Sequence, residues 1–268
     1  MAAVGIVTDG GADLPAAVAD ALGIRRVQGE VRIGTEPWQG SLPEFWEAIR
    51  AGRGTPSTSP PSTEAIAATF ERADAVCSVH VSAELSRAFE HARAAAAGRQ
   101  VHVVDSRSMS AGTGLVAIVT AQAAATDVAF EGIGRVALRV AERAHVYALI
   151  DDIEYLRRGG RAGLVTAPAK GPNHHVLAVR GHAIPLGQHR TREGAIRDVL
   201  RHLAEQARHG VESWAVSHGD ASDVEAFVER VRDVLPGDAA YITLMGTLVG
   251  THLGPDALVV GFLSAATP

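Results

Sequence analysis

Short apolar segments alternate with stretches of helical periodicity from Val4 to Ala125, and this alternation restricts the fold more than any other feature of the chain. Residues 4–8, 27–33, 75–81 and 101–104 are expected strands. Residues 14–22, 64–72, 84–97 and 112–125 are expected helices, with Asp13 as candidate N-cap of the first. Ser41-Leu42-Pro43-Glu44 is a capping box with proline in the first turn, and it opens a helix through Ile49. Residues 55–63, rich in Pro, Ser and Thr, are an expected loop. Strands joined by helical crossovers imply a parallel sheet.

The pattern then changes. A helix at 132–143 and a strand at 145–150 precede a short helix at 152–158 that Gly159-Gly160 ends. Strands at 176–179 and 183–186 flank Arg180-Gly181, a hairpin turn. Helices at 192–208 and 222–234 and strands at 211–216, 239–244 and 257–263 complete the chain. The expected class is α/β: an N-terminal parallel α/β domain over 1–147 and a C-terminal α+β domain over 148–268.

Composition narrows the function. At 268 residues the chain is near the size where one core gives way to two. A net charge of −5 argues against nucleic acid or an anionic membrane as partner. Cys77 is the only cysteine, so no disulfide framework is possible. Lys170 is the only lysine, and Ala169-Lys170-Gly171-Pro172 is no P-loop. The apolar runs at 115–121 and 257–266 are too short to span a bilayer. Met1-Ala2-Ala3-Val4-Gly5 lacks the basic region of a secretory signal, and a cytoplasmic protein without stable membrane insertion is expected.

Ligands of parallel α/β sheets sit at the carboxyl ends of strands. Asp9, Ser82 and Asp105-Ser106 fall there, although a cap or turn explains each one alone. Thr58, Ser59 and Ser62 offer hydroxyls around Pro60 and Pro61, which stiffen the loop and lack N–H donors. Ser86 falls in the first turn of the expected helix 84–97. In Thr251-His252-Leu253-Gly254-Pro255, His252 falls on an expected turn before the last strand. Small hydroxyls with one imidazole suit a single carboxylate. Arg161 follows the charged segment Asp152 to Arg158, where it could face an anion or a partner. His174, His175, His182 and His189 match no zinc spacing, and neither metal nor cofactor is expected. A serine hydrolase or acyltransferase using Ser86 or Ser59 with His252, and Asp105 as acid, is the second reading, although no Gly-x-Ser-x-Gly elbow is present. A nucleotide-binding domain on Asp9-Gly10-Gly11 ranks last, since no Gly-x-Gly-x-x-Gly follows.

The ordered series of motifs resembles the DegV family nearly end to end. It comprises 6–15 (IVTDGGADLP), 58–62 (TSPPS), 82–86 (SAELS), 103–106 (VVDS), 154–161 (EYLRRGGR), Arg190-Thr191, 218–221 (HGDA) and His252-x-Gly254-Pro255. The resemblance implies two α/β domains with a long-chain fatty acid buried between them. It implies a carboxylate met by Thr58 or Ser59, by Ser86 and by His252. It further implies a separate fatty acid kinase that makes the acyl phosphate, with Arg161 implicated in that transfer. The chain departs from the family pattern at Pro60, where glutamine is usual, and at Arg87-Ala88, where Gly-Thr is usual. It departs again at Asn173-His174-His175 and at Asp256. Arg87, if it points inward, pairs with the carboxylate directly or occupies part of the pocket. A buried acyl chain gains on the order of 10 kcal/mol gross at roughly 0.8 kcal/mol per methylene, against several kcal/mol to desolvate its carboxylate.

Overall fold

The computed structural model describes residues 4–158 and 174–266. In chain order the elements are β1 (Val4–Asp9), α1 (Ala16–Ala21), β2 (Ile24–Val27), β3 (Glu30–Ile33), β4 (Glu36–Pro37), α2 (Leu42–Arg50), β5 (Pro56–Ser59), α3 (Thr63–Phe70), β6 (Ala75–His80), α4 (Ala88–Ala95), β7 (Val101–Asp105) and α5 (Ser110–Ala124). There follow α6 (Phe130–Glu142), β8 (Ala144–Ile150), α7 (Glu154–Arg158), β9 (His174–Arg180), β10 (His182–His189), α8 (Arg192–Ala207), β11 (Val211–His218), α9 (Val224–Arg232), β12 (Tyr241–Leu244), α10 (Thr247–Leu253) and β13 (Leu258–Ser264).

The expected parallel sheet is present, in the order β2-β1-β6-β7. The second half forms a six-stranded mixed sheet, β10-β9-β8-β13-β11-β12, in which only β11 and β12 run parallel. Its strand β8 begins at Ala144 and spans the 147/148 division. A small antiparallel sheet, β4-β3-β5, was not expected. The expected strand 27–33 is in fact β2 and β3, which belong to different sheets. The chain turns between them at Gly29, where a Cβ would lie 2.3 Å from the Ser59 carbonyl oxygen. The expected loop 55–63 contains β5, which pairs with β3 from Glu30↔Ser59 to Ile33↔Pro56.

Helix α5 joins the lobes. It is buried on nearly every side, and Leu115, Val116 and Ala117 share one core with Ile6 and Cys77 of the parallel sheet and Ala215 and Leu263 of the mixed sheet. Gly112 and Gly261 permit this approach, since a Cβ on Gly261 would lie 2.7 Å from the Gly112 backbone nitrogen. The far face of the mixed sheet is covered by α8 and α9 through Leu203, Trp214, Phe227 and Phe262. The near face beyond α5 packs against α2 and α10 through Val146, Ala148, Trp46, Met245 and Leu253.

Asp13 does not cap α1, whose N-cap is Pro15. It sits in the left-handed region (φ 47°). Its Oδ1 accepts from the Gly246 N–H at 2.8 Å, and its Oδ2 accepts from the Ser110 hydroxyl at 2.6 Å. Ser110, also left-handed (φ 50°), lies 2.5 Å from the Ser217 hydroxyl. One carboxyl therefore ties the N-terminal lobe to α5, to the end of β11 and to the start of α10. Burial pushes the Asp13 pKa from 3.8 up to about 7, against the hydrogen bonds from Ser110 and Gly246.

The folded chain thus holds a proton that the unfolded chain releases near pH 4. This contribution to stability is present at low pH and is lost as pH rises toward 7. Asp13→Asn keeps an acceptor for Gly246 and offers N–H to Ser110. In urea denaturation at pH 8 it is expected to exceed the unchanged chain by about 1–3 kcal/mol, with the gap narrowing as pH falls below 7 and closing toward pH 4. A gap independent of pH counts against the buried acid.

Candidate functional site

The site is assembled from four places in the chain. Strand β5 presents Thr58 and Ser59 and runs into Pro60-Pro61. His91 of α4 holds this loop, its Nδ1 lying 2.8 Å from the Pro61 carbonyl oxygen. Ser62 is spent on capping α3, accepting from the Ala65 N–H at 3.1 Å.

The segment 82–87 is a turn and not the helical start expected, because the Leu85 and Ser86 N–H groups bond back to the Ser82 carbonyl and α4 begins only at Ala88. Ser86 accepts from the Ala88 N–H at 3.2 Å and faces the cavity described below.

The third contribution is α10, where a turn was expected. Residues 247–253 are helical from N-cap Gly246 to Gly254, whose φ of 76° ends the helix. With seven residues and a glycine at either end, the segment lacks the length by which periodicity is recognised. Neighbours fix its position. Trp46 Nε1 donates to the Met245 carbonyl at 3.1 Å, and Gly250 lies against the Trp46 ring. Thr251 donates within the helix to the Thr247 carbonyl at 2.8 Å. His252, in the last turn, places Nε2 2.9 Å from Thr58 Oγ1, a contact between residues 194 positions apart.

The mixed sheet supplies the opposite wall. Ala148 of β8, Leu177 and Val179 of β9 and Ala183 of β10 carry no polar side-chain atom, and Leu156 of α7 extends this surface. Two hydrogen bonds dock the β9–β10 hairpin onto the N-terminal lobe. The Gly181 N–H donates to the Arg107 carbonyl at 2.6 Å, and the Ser82 hydroxyl donates to the Gly181 carbonyl. Between the walls lies a cavity of about 280 Å³, to which Leu85, Met109, Leu248, Val249 and Leu253 add further apolar surface.

Thr58, Ser59, Ser86, Arg87 and His252, predicted from distant segments, all border this one cavity. Arg87 stands at its edge, with a 75% exposed side chain whose Nε lies 3.2 Å from Glu90. Asp105 is turned away, accepting from the Arg107 N–H at 2.7 Å, and Ser106 lies 2.9 Å from Thr113. Neither borders the cavity, so the acid expected for a triad with His252 is elsewhere. Arg161 and Lys170 lie outside the described residues. His174 lies 2.6 Å from Asp151, and His189 lies 2.8 Å from Asp198. Among the described residues no group of three or more His, Cys, Asp or Glu could hold a metal ion. Burial raises the Cys77 thiol to about 12, which keeps it protonated.

A serine–histidine–aspartate chain does exist at an unexpected place. Ser78 Oγ lies 2.7 Å from His80 Nε2, and His80 Nδ1 lies 2.9 Å from Asp9 Oδ2. Asp9 also accepts from the Gly11 and Val81 N–H groups and borders the cavity. Ser78 and His80 are fully buried and do not border it. The trio satisfies polar groups inside the sheet and exposes no nucleophile. The polar residues at alternate positions 78 and 80 of an apolar strand were the available signal.

An α/β protein whose two large sheets and one small sheet surround a cavity with one polar and one apolar side defines the class. The chain belongs to the DegV family, matching over residues 3–265 the description "Uncharacterised protein, DegV family". It is 33% identical to a DegV domain-containing protein of Streptomyces coelicolor, over 96% of this chain and 97% of that one. It is similar to a solved DegV family protein of Thermus thermophilus described by its fatty acid binding, with TM-score 0.86 and 26% identity over 98% and 99% of the two chains. The fold matches that of Bacillus subtilis DegV, described as a fatty acid binding protein, with TM-score 0.87 and 24% identity over 99% and 100%. Among the described residues no helix is long and apolar enough to cross a membrane.

A Cβ on Gly250 would meet the Trp46 ring at 2.7 Å, so Gly250→Ala forces α10 off its seat. The expected cost is about 1–3 kcal/mol in chemical denaturation. A loss under about 0.5 kcal/mol contradicts the tight seating of α10 on Trp46.

Proposed function

We propose that the chain encloses a long-chain fatty acid, its tail along the mixed-sheet wall and its carboxylate among Thr58, Ser59, Ser86 and His252. The observation that carries this reading is the cavity itself, where hydroxyls and an imidazole face a wall of Ala148, Leu177, Val179 and Ala183. The fatty acid binding described for the Thermus thermophilus relative supports the same ligand class.

The physical balance favours this ligand. An alkyl chain gains roughly 0.8 kcal/mol per buried methylene, while the carboxylate must regain the hydrogen bonds it leaves in water. Thr58, Ser59 and Ser86 can donate O–H. A protonated His252 adds charge and an N–H, the stronger kind of bond to an anion. Arg87 at the edge adds a favourable field that solvent weakens. The tail drives binding and the polar end orients it. No metal or cofactor takes part in this reading.

The bound acid is then presented to a separate fatty acid kinase, which forms the acyl phosphate on its own ATP site. This part rests on the family resemblance of the 154–161 motif, and Arg161 is the residue assigned to the transfer. A cytoplasmic location fits such a partner. The hydrolase reading is disfavoured because Asp105 is turned away from the cavity and the buried Ser78–His80–Asp9 chain presents no nucleophile.

Organic extracts of the purified protein are expected to contain a long-chain fatty acid by mass spectrometry. A protein that is repeatedly lipid-free and takes up no palmitate contradicts the reading. His252→Ala or Ser86→Ala is expected to lower palmitate affinity about tenfold, one charge-assisted hydrogen bond, while hexadecane affinity changes little. Equal losses for the acid and the hydrocarbon place the carboxylate elsewhere. A fluorophosphonate probe is expected to leave the protein unlabelled, and labelling lost in Ser86→Ala or Ser59→Ala favours the hydrolase.

A further inference from the structure

We infer that Asp13 is a positioning residue for the head-group site, holding the N-terminus of α10 so that His252 meets Thr58. The inference rests on the fatty-acid reading above and adds a residue that does not border the cavity.

Helix α10 has seven residues, too few to hold its own conformation in water. Its N-cap, Gly246, has no side chain to bond the free N–H groups of the first turn. The Gly246 N–H itself is taken by Asp13 Oδ1 at 2.8 Å, from a residue 233 positions earlier. His252 follows less than two turns later, roughly 9 Å along the axis at 1.5 Å per residue. A change in tilt at Gly246 therefore moves the imidazole relative to Thr58.

The anchor is itself rigid. Asp13 is almost fully buried and is held by Ser110, which is held in turn by Ser217. Asp13 and Ser110 both keep left-handed backbone, at φ 47° and 50°, a conformation that persists for such residues only where the surroundings fix it. Trp46 Nε1 and the His218 carbonyl hold Met245, the residue before the cap, and Asp13 takes the N–H of the cap itself.

The test compares palmitate with hexadecanol, which shares the tail but carries no charge at the head. Affinities are measured for the unchanged chain, Asp13→Ala, Asp13→Asn, His252→Ala and the Asp13→Ala/His252→Ala double variant. Asp13→Ala is expected to lose about tenfold for palmitate and less than about threefold for hexadecanol, with Asp13→Asn restoring most of the loss. Once His252 is gone, Asp13→Ala is expected to cost little more, since both changes remove one interaction. If Asp13→Ala does not fold, Gly246→Ala serves instead. Its Cβ would stand 3.1 Å from Asp13 Oδ1 and press the pair apart, and a severalfold loss confined to palmitate is expected. Equal losses for both ligands, additive losses in the double variant, or unchanged palmitate binding overturn the inference. An unchanged chain that binds neither ligand removes the fatty-acid reading, and this inference with it.

Discussion

Helix α5 has almost no free face, and this one constraint sets the relation between the two large sheets. Its small residues, Ala111, Gly112, Gly114 and Ala117, let strands approach from either side, so the parallel and mixed sheets share a core. A helix packed this way cannot slide without opening contacts on both sides at once. Ser110 at its start adds the polar fastening to Asp13 and Ser217. With the sheets fixed, α2, α10 and the β4-β3-β5 sheet fill the space beyond the helix, and the cavity lies among them.

The cavity divides its chemistry by origin. The mixed sheet contributes strand faces, where alternation presents one apolar row to the interior. The polar groups come from places where regular structure ends: the end of β5, the turn before α4, and the last turn of α10. Ends of elements leave side chains free to meet a ligand. Polar groups that would burden the interior are paired elsewhere, as Ser78, His80 and Asp9 are.

Much of this was legible in the sequence. The parallel sheet followed from apolar runs alternating with helices, and the β9–β10 hairpin followed from Arg180-Gly181. Residues bordering the cavity were legible as motifs, in an order that resembles one family. What escaped shares a physical character. The β4-β3-β5 sheet was missed because β4 has two residues, Pro56 opens β5, and the alternation over 27–33 joins β2 and β3 into one strand. Helix α10 was missed because its glycines, needed for Trp46 and Asp13 to approach, are the signature of a turn. Asp13 read as a helix cap because its real partners, Ser110 and Gly246, lie 97 and 233 residues away. No local pattern carries such pairings. The exposed side chain of Arg87, paired with Glu90, was likewise settled by packing and not by its place in the motif.

The central claim is a carboxylate among Thr58, Ser86 and His252 with its alkyl chain against Leu177 and Val179. Crystals of the protein grown with palmitate test it most directly. The account predicts continuous elongated density inside the cavity, forked at the end beside His252 Nε2 and Thr58 Oγ1. Palmitate bound outside that cavity, or inside it with the forked end against the mixed-sheet wall, contradicts the account.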